Sequence, residues 1–530
     1  MTGDGPSDGP TAQPATGTTG GVDAAPGPEP LTPAETAAVA RLRQRAAQAL
    51  PAGVSGAGAV PQAELLRSAH QARLLGLHRP AALAATVVTG LRAARAAEPD
   101  HRLADLVAAY RELLETCTAL LGPLPAADLR GTARQSYREA GGLRLYGLCA
   151  EPVVTATHAG AAVWLVDGEG RLATVADVLP HGDHAEAAEL AQAASVRPVR
   201  LGDASLSHRE LTRAGLVVQG ATRTATGRLG AGAGVRAVRA AGAGWQQSPA
   251  AGLWAEPVAA QVERALRAER VPFEVRPAGS DLLFLDVTVR GPVVAAGGAH
   301  LLADCAGLPV ALLPGHEHPS LAYRANLALL AAAPSLRLRV IGRLERAATA
   351  RPRLLAAGPA PQQAGGADGV DGVADGTRDG AALRLTAERL GRVSLGLERL
   401  QHADLPAGDA APLAPGVAVE AAAGSEAGAL PPVHLLSRRV AQVVTGGRRA
   451  LTPSGAQGGD EARALRETGL GTAAQLLTAL RAAAVDQDRD VFGRLRTDDH
   501  LGFALAWLAA ACYQEELANA LCAAAWQQPG

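Results

Sequence analysis

Three side chains near the middle of the chain, His181, Asp183 and His184, are of types that bind metal ions, and Asp177 precedes them. Neutral imidazoles and carboxylates are ordinary ligands of zinc and iron. Their spacing differs from the i, i+4 histidine pair of a metalloprotease helix, and no third ligand group follows at a telling distance. One hypothesis is therefore a metal-dependent hydrolase that uses these residues, and a polar loop between strands is the simpler interpretation.

A second histidine-containing string, His316-Glu317-His318, lies between Pro314 and Pro319. Alternate side chains of an extended segment share one face, so the two imidazoles could bind one ion. No further ligand accompanies them in the sequence. We expect a solvated turn at the entry to a helix.

Hydroxyl, imidazole and carboxylate groups also lie close together in the string Ser205-Leu206-Ser207-His208-Arg209-Glu210. Nucleophilic catalysis needs such groups close in space, and residues adjacent in sequence rarely have that geometry. Ser207 followed three residues later by Glu210 is the pattern of a capping box. The string therefore predicts the start of a short helix.

Two further strings resemble known motifs but do not have the residue spacing that those motifs require. Gly230, Gly232 and Gly234 do not match the Gly-x-Gly-x-x-Gly of a dinucleotide loop and favour a bend into a strand. Asp486, Asp488 and Asp490 resemble the start of a calcium loop. Val and Thr stand where that loop needs glycine and glutamate.

Four arginines, Arg223, Arg228, Arg236 and Arg239, fall within or beside the predicted strands of the central region. Guanidinium groups bind phosphate through paired hydrogen bonds. If the four side chains line one edge of the sheet, they could bind nucleic acid. Solvated charges on a strand surface are the simpler interpretation.

All 50 of the Lys and Arg residues in the chain are arginine, so the chain has no lysine. A GC-rich coding bias predicts this composition. A P-loop, a protein kinase and a Schiff-base enzyme each need a lysine amine. These classes are excluded. We assign no catalytic residue, metal ion or cofactor from the sequence.

Charge and cysteine content also limit the function. The formal net charge is −1 and aromatic residues are 3% of the chain, which gives little support to nucleic-acid binding by charge or by base stacking.

The five cysteines are widely spaced in a chain without a recognisable secretory signal, and we expect them to be reduced. Apolar runs are too short to span a membrane. We expect a cytoplasmic protein without a membrane partner.

The elements that would position these residues form an α+β multidomain pattern. Helical periodicity marks both ends of the chain, and period-two alternation begins at Gly141, with a hairpin turn at Asp167 to Gly170. The centre is predicted to be an antiparallel sheet or a partly closed barrel, followed by a small α+β region. The predicted boundaries are a disordered tail at 1–31, a helical domain at 32–138, a β-rich domain at 139–250, an α+β domain at 251–357, flexible linkers at 358–430 with a short ordered element at 383–402, and a helical C-terminal domain at 431–530.

Several strings of the β-rich region resemble a known family. They are LRLYGL at 143–148, GRLATVADV at 170–178, LSHREL at 206–211 and GRLGAG at 227–232. In this order they resemble the region that follows the zinc finger in bacterial, especially actinobacterial, SWIM zinc finger family proteins. The likeness covers about a fifth of the chain.

The finger itself is absent from this sequence. A SWIM finger needs Cys-x-Cys followed by Cys-x-His, and none of the five cysteines fits either spacing. Zinc binding is therefore not carried over. The resemblance implies a fingerless relative or companion of the finger proteins, with an AAA ATPase or a von Willebrand factor A-like protein as partner.

The sequence leaves three functions open. The leading hypothesis is a non-enzymatic cytoplasmic scaffold that binds protein partners through several domains. The second is the metal-dependent hydrolase at His181, Asp183 and His184. The third is a nucleic-acid-associated protein that uses the arginines of the central region.

Overall fold

The computed structural model of the chain contains two β-sheets and thirteen α-helices among the residues that it describes. These are residues 30–98, 101–123, 127–134, 137–155, 157–182, 184–230, 232, 234–295, 298–361, 391–405, 432–451, 457–485 and 500–527. Helices occupy both ends and strands the centre, which confirms the predicted α+β multidomain class. Across these ranges, the structure has no helix that is both long and apolar enough to cross a lipid bilayer.

The elements are numbered in chain order. The α-helices are α1 (Pro33–Ala49), α2 (Gly53–Gly56), α3 (Ala59–Leu74), α4 (His78–Ala96), α5 (Leu103–Leu120), α6 (His184–Val196), α7 (His208–Leu211), α8 (Val258–Glu269), α9 (Tyr323–Ala331), α10 (His434–Gly446), α11 (Gln457–Glu467), α12 (Gly471–Val485) and α13 (His500–Ala525). The strands are β1 (Arg138–Val154), β2 (His158–Asp167), β3 (Leu172–Pro180), β4 (Gly215–Arg223), β5 (Leu229–Gly230), β6 (Arg236–Ala240), β7 (Leu282–Ala295), β8 (Gly298–Cys305), β9 (Leu308–Pro314), β10 (Arg337–Glu345), β11 (Arg351–Pro359) and β12 (Val393–Ser394).

Helix α1 begins where its sequence signals predict. Thr32 Oγ1 accepts a hydrogen bond from Glu35 N at 3.3 Å, and Glu35 Oε2 accepts one from Thr32 N at 2.7 Å. These bonds satisfy two N–H groups that the start of a helix leaves without an intrahelical acceptor. Thr32 followed three residues later by Glu35 is the sequence pattern that predicts a capping box, and the structure confirms it.

Helices from the two ends of the chain share one hydrophobic core, formed by α1, α3, α4 and α5 with α10 to α13. Trp507 of α13 is fully buried in it. Its indole N–H donates to the carbonyl of Val440 in α10 at 3.0 Å, and its ring meets Tyr110 of α5 edge-on at 6.4 Å. The two helical regions that the sequence separates by the central strands therefore pack as one unit.

Helix α13 also joins this helical unit to the second sheet. Cys522 and Trp526 pack into the core of that sheet. Glu515 lies 3.5 Å from Arg111 of α5 and pairs with Arg346, which follows β10. The helix has 26 residues, about 39 Å at 1.5 Å per residue, which is long enough to reach both cores.

The first sheet curls into a barrel. Its strand order is β3-β2-β1-β4-β5, and β6 pairs with β4 beside β5. Thr174 N of β3 donates to Gly227 O at 3.0 Å, and Thr174 forms a parallel bridge with Arg228, directly before β5. Because the two ends of the sheet meet there, the structure selects the partly closed barrel from the two alternatives that the sequence leaves open.

The second sheet closes completely. Its order is β10-β7-β8-β9-β11-β12, and β10 also pairs with β11. The pairing of β9 with β11 is parallel, and the others are antiparallel. A register shift between Val289 and Gly291 interrupts the ladder of β7 with β8. Such an irregularity bends a strand, which lets β7 pair with β8 along one part and with β10 along another.

The two barrels have the same topology. Each consists of three consecutive antiparallel strands, a helix (α6 or α9) and a final hairpin, and its third strand meets its fifth in parallel. This order is that of the five-stranded OB-fold barrel. The chain therefore carries two barrels of one topology in tandem. Because such barrels serve many functions, the function must be argued from their side chains.

An ion pair and an apolar cluster join the barrels. Arg343 of β10 donates to both carboxylate oxygens of Glu151 in β1 at 3.0 Å, and Trp164 Nε1 donates to the same carboxylate at 2.9 Å. Arg343 also pairs with Asp281, and Glu151 is the main cause of the raised pKa of Arg343. Around this pair, side chains of both barrels form one buried cluster that includes Leu148, Trp164, Trp245, Phe284 and Ile341.

Side-chain periodicity also predicts a helix at 126–138 and strands at 197–201 and 273–275, and it predicts no helix at 184–196. The structure differs at all four places. Of the helix predicted at 126–138, the described residues form only a 3₁₀ turn at Ala127–Arg130, and Arg138 already begins β1. The strand predicted at 273–275 is a 3₁₀ turn, and the strand predicted at 197–201 is reduced to a bridge between Pro198 and Ser207. Helix α6 was not predicted, because the polar residues 181–184 favour a loop. The 3₁₀ turn at Ala127–Arg130 packs against α4 and α5 of the helical unit, and α6 packs against β1 and β2 of the first barrel. These tertiary contacts outweigh a weak local preference.

Residues 391–405, which we call the strap, lie across both barrels. Val393 and Ser394 form β12, which pairs antiparallel with β11, and Ser394 Oγ accepts a hydrogen bond from Ala150 N of the first barrel at 2.9 Å. Asn326 of α9 donates to the carbonyls of Leu395 and Glu398 at 2.8 and 2.7 Å. The described part of the predicted element at 383–402 is therefore held by both barrels.

Replacing Trp507 by alanine should destabilise the helical unit by about 3–5 kcal/mol, because the change leaves a large cavity and removes a buried hydrogen bond. Urea unfolding followed by far-ultraviolet circular dichroism would measure it. Leu505→Ala is the control on the same helix, since Leu505 is 37% exposed. Equal midpoints for the two variants would show that Trp507 does not hold the helices together.

Candidate functional site

The predicted metal loop is only partly described. His181 Nε2 lies 2.8 Å from the carbonyl oxygen of Thr155, so that nitrogen carries the proton. Asp183 lies outside the described residues, and His184 begins helix α6. Asp177 is paired with Arg197 at 2.7 Å. The hydrolase hypothesis therefore stays a prediction.

The string His316-Glu317-His318 forms a turn that uses its own polar groups. His316 Nδ1 accepts a hydrogen bond from His318 N at 3.0 Å. Glu317 pairs with Arg324 at 3.0 Å and Arg353 at 3.3 Å, and these bonds lower its pKa although burial opposes them. In the part of the chain that the structure describes, no group of three or more His, Cys, Asp or Glu side chains could hold a metal ion.

The Ser207 string is a helix start, as predicted. Ser207 Oγ accepts a hydrogen bond from Glu210 N at 3.2 Å, and Glu210 Oε2 accepts one from Ser207 N at 2.7 Å. His208 is buried, and its Nδ1 lies 2.9 Å from the carbonyl of Arg197. The imidazole is thus bound to backbone instead of activating the serine. The capping box of α7 is confirmed.

The cysteines lie in environments that suppress the thiolate. All five are free, and burial raises the pKa of Cys117 to about 12 and that of Cys305 and Cys512 to about 11. Burial also raises the pKa of Cys149 and Cys522. Because the thiolate is the nucleophile, these side chains are packing residues.

The two other strings lie partly or wholly outside the described ranges. Gly230 ends β5, and Gly232 and Gly234 precede β6, so the glycine-rich segment leads into a strand as predicted. Asp486, Asp488 and Asp490 are outside the described residues.

The four predicted arginines do not share one edge. Arg223 is largely buried, lies 3.5 Å from Asp167 and also donates to the carbonyl of Leu172, so it holds two turns of the barrel together. Arg228 is exposed beside the parallel bridge to Thr174. Arg236 and Arg239 are exposed on β6, separated by three positions. Since side chains alternate along a strand, the two point to opposite faces.

Arg239 instead meets two arginines that the sequence analysis did not select. Arg209 and Arg213, on and directly after α7, line with it an open groove of about 550 Å³, which we call the arginine groove. Its other lining residues are Glu210, Ala214, Ala240, Ala241 and Gly242.

The strap positions two of these guanidinium groups. Glu398 is 5% exposed, and its Oε1 lies 3.0 Å from both Arg209 Nε and Arg213 Nη2. Its Oε2 accepts a hydrogen bond from Ser394 N at 2.8 Å. Arg213 also donates to the carbonyl of Arg392 at 2.7 Å. One buried carboxylate thus holds two arginines that remain about half exposed to solvent.

Positive charge around the groove exceeds negative charge. Burial and the neighbouring Arg213 lower the pKa of Arg392 to about 10, and Arg392 has no carboxylate partner among the described residues. Arg239 forms no ion pair with any described residue. Hydrogen bonds with Ser207 lower the pKa of Glu210, and the positive charge of Arg239 contributes to that decrease. Arg144 reaches the groove wall by donating to Ala241 O at 3.2 Å. The five guanidinium groups are those of Arg144, Arg209, Arg213, Arg239 and Arg392, and the two carboxylates are those of Glu210 and Glu398.

Such an arrangement can bind an anion without catalysing a reaction. Guanidinium groups form charge-assisted hydrogen bonds with carboxylates and phosphates. Within the described part of the groove no imidazole, thiol or free hydroxyl lines the wall that could act as acid, base or nucleophile. The arginine groove is the candidate functional site.

Part of this site had a signal in the sequence. Arg209 and Arg213 are spaced i, i+4 after a capping box, which places them on one side of a helical turn. No sequence signal predicts that these two arginines lie close to Arg239 and to Glu398. Glu398 lies 189 residues beyond Arg209, and only the barrel contacts bring it there.

Replacing Glu398 by glutamine should destabilise the barrels by about 1–3 kcal/mol, because an amide cannot replace a buried carboxylate between two guanidinium groups. Thermal unfolding followed by circular dichroism would measure it. Glu263→Gln is the matched control, since Glu263 forms an exposed i, i+4 pair with Arg267. If both variants unfold at the wild-type temperature, Glu398 does not organise the groove.

Comparison with known proteins adds no relative to this description. No family model, curated protein or solved structure matches the chain. The resemblance to SWIM zinc finger family proteins therefore stays a prediction based on its four short strings. The barrel topology and the arginine groove are what the structure contributes.

Proposed function

We propose that this chain is a non-enzymatic, cytoplasmic interaction protein whose arginine groove binds a carboxylate-rich segment of a partner protein. The observation that carries the proposal is the convergence of Arg209, Arg213 and Arg239 on one groove, near which the described residues place two carboxylates. A partner's Asp or Glu side chains would supply the missing negative charge. Desolvated guanidinium–carboxylate pairs favour specific recognition and rapid association.

An acidic protein segment fits the groove better than nucleic acid does. The chain has a formal net charge of −1, so it has no overall attraction for a polyanion. The groove is lined by arginine, alanine, glycine and glutamate, without an aromatic ring on which a base could stack. Arg223, Arg228 and Arg236, which the nucleic-acid hypothesis needs, are not among its lining residues.

The shape of the chain supports a scaffold. One helical unit and two barrels are connected by α13 and by the strap, which holds several surfaces in a fixed arrangement. The proposal keeps the chain as a fingerless relative or companion of SWIM zinc finger proteins. An AAA ATPase or a von Willebrand factor A-like protein is the partner that this relationship suggests.

A peptide-binding measurement tests the groove. A fluorescein-labelled peptide of eight glutamates should bind the full-length protein, and Arg209→Glu or Arg239→Glu should weaken binding by about tenfold or more, equivalent to about 1.4 kcal/mol. Fluorescence anisotropy at moderate salt would give the affinities. Each variant replaces a favourable charge by a repulsive one.

Arg236→Glu is the matched control, because Arg236 lies on the same strand as Arg239 but does not line the groove. It should leave the peptide affinity close to that of the wild type. Equal losses for Arg236→Glu and Arg239→Glu would indicate general attraction and overturn the proposal. Tighter binding of a labelled single-stranded oligonucleotide, lost in Arg239→Glu, would favour the nucleic-acid hypothesis.

Affinity purification from the native host tests the partner. We expect the wild-type chain to retain a protein with an acidic exposed segment, and the Arg209→Glu/Arg239→Glu variant to lose it, because the groove charge is reversed. Mass spectrometry would identify the retained chain. An AAA ATPase among the lost proteins would support the companion role. A partner set unchanged by the double substitution would contradict docking at this groove.

A further inference from the structure

One edge of the first barrel is an open strand, β6, that borders the arginine groove. Within the described residues β6 pairs with β4 alone. An edge strand presents backbone N–H and C=O groups that have no partner in the sheet and that can pair with another extended segment. Recognition at this edge can therefore use main chain as well as charge.

The second barrel has an added strand on the equivalent edge. After its parallel contact with β9, strand β11 pairs through Ala356 and Ala357 with β12 of the strap. Leu395 N donates a further bond to Leu355 O at 2.9 Å. In the first barrel β5 and β6 take the place of β11, because Arg228 meets β3 in parallel and β6 continues along β4. The described part of the chain thus covers this edge in the second barrel and leaves it open in the first.

The ladder of β1 with β4 shows which groups of β6 point outward. Gly147 N donates to Ala214 O at 2.9 Å, and in an antiparallel ladder such bonded pairs alternate with non-bonded ones. Leu216, two residues after Ala214, therefore turns its N–H and C=O toward β1. Arg239 of β6 lies opposite Leu216, so its own N–H and C=O point away from β4.

The open part of this edge is the part that lines the groove. Gly202 lies against the first half of β6, since a Cβ atom on it would be 2.4 Å from Ala237 N. The second half begins one wall of the groove, formed by the consecutive residues 239–242. Three of these four residues are alanine or glycine, so the wall offers mostly main chain. The groove therefore combines a backbone edge with the arginines of the opposite wall.

Charge selects the kind of strand that this edge can bind. In an antiparallel pair, the residue opposite Arg239 has its side chain on the same face as Arg239, and residues two positions away share that face. Acidic side chains at alternate positions would therefore meet the arginines of the groove. A second copy of this chain is disfavoured, because pairing β6 with β6 would bring the like charges of Arg236 and Arg239 together.

We infer that the partner's acidic segment binds the arginine groove as an added β-strand with acidic residues at every second position. It lies antiparallel to β6, as β12 lies to β11. The inference rests on the proposed function and gives the partner segment a conformation and a sequence pattern. Main-chain bonds with Arg239 align the segment, and the alternate carboxylates bind the guanidinium groups of Arg209, Arg213 and Arg239.

Peptides with N-methylated backbone amides test the pairing. The probe is fluorescein-labelled Thr-Glu-Thr-Glu-Thr-Glu-Thr, and fluorescence anisotropy with the full-length protein gives its affinity. In the added strand the glutamates turn their amides toward β6, so N-methylation of all three should weaken binding about tenfold or more. N-methylation of three threonines is the matched control, because those amides face away from β6, and it should change the affinity by less than about twofold.

A peptide of the same composition with its three glutamates adjacent, Thr-Thr-Glu-Glu-Glu-Thr-Thr, tests the alternation. It should bind more weakly than the alternating peptide, because one of the three carboxylates or two of them must face away from the arginines. Equal affinities for the alternating and the block peptide would overturn the sequence pattern and with it the inference.

The remaining outcomes separate the added strand from the proposed function. Equal affinities for the two N-methylated peptides, with octaglutamate still bound, would overturn the strand and leave the charged groove standing. No binding of octaglutamate would overturn the proposed function itself. A dimer of the free chain in analytical ultracentrifugation that the alternating peptide dissociates would assign the edge to a second copy and overturn the inference.

Discussion

The arrangement of the two barrels depends on the seam between them, where the ion pair of Glu151 and Arg343 lies beside an apolar cluster that both barrels share. The carboxylate of β1 receives two guanidinium bonds from β10 and a third bond from Trp164, which fixes both angle and distance at the seam. A partly desolvated pair is costly unless each of its hydrogen-bonding groups is satisfied, and here Asp281 takes a further bond from Arg343. The apolar cluster around it buries surface of both barrels, and the ion pair adds directional hydrogen bonds across the seam.

The arginine groove follows from that orientation. It lies on the first barrel, but the carboxylate that holds two of its arginines belongs to the strap, which pairs with strand β11 of the second barrel. A change in the angle between the barrels would therefore move Glu398 relative to Arg209 and Arg213.

Two barrels of one topology in a single chain also explain why chemistry is hard to find in this sequence. In each barrel the alternating side chains fill a core of alanine, leucine and valine, which leaves few polar groups inside. The five cysteines are buried or half-buried, and His316 and His318 form part of a turn. The surface chemistry is carried by arginine, a residue suited to binding carboxylates and phosphates through its fixed fork of donors.

The sequence by itself determined the local elements. The capping boxes at Thr32 and Ser207 and the hairpin turn at Asp167 to Gly170 are fixed by neighbours within a few residues, so their patterns predict them. Only the tertiary structure decided the closure of the barrels, the single helical core and the convergence of Arg209, Arg213 and Arg239. Those features depend on contacts between residues far apart in the chain, and side-chain periodicity carries no information about which distant strand or carboxylate a residue will meet.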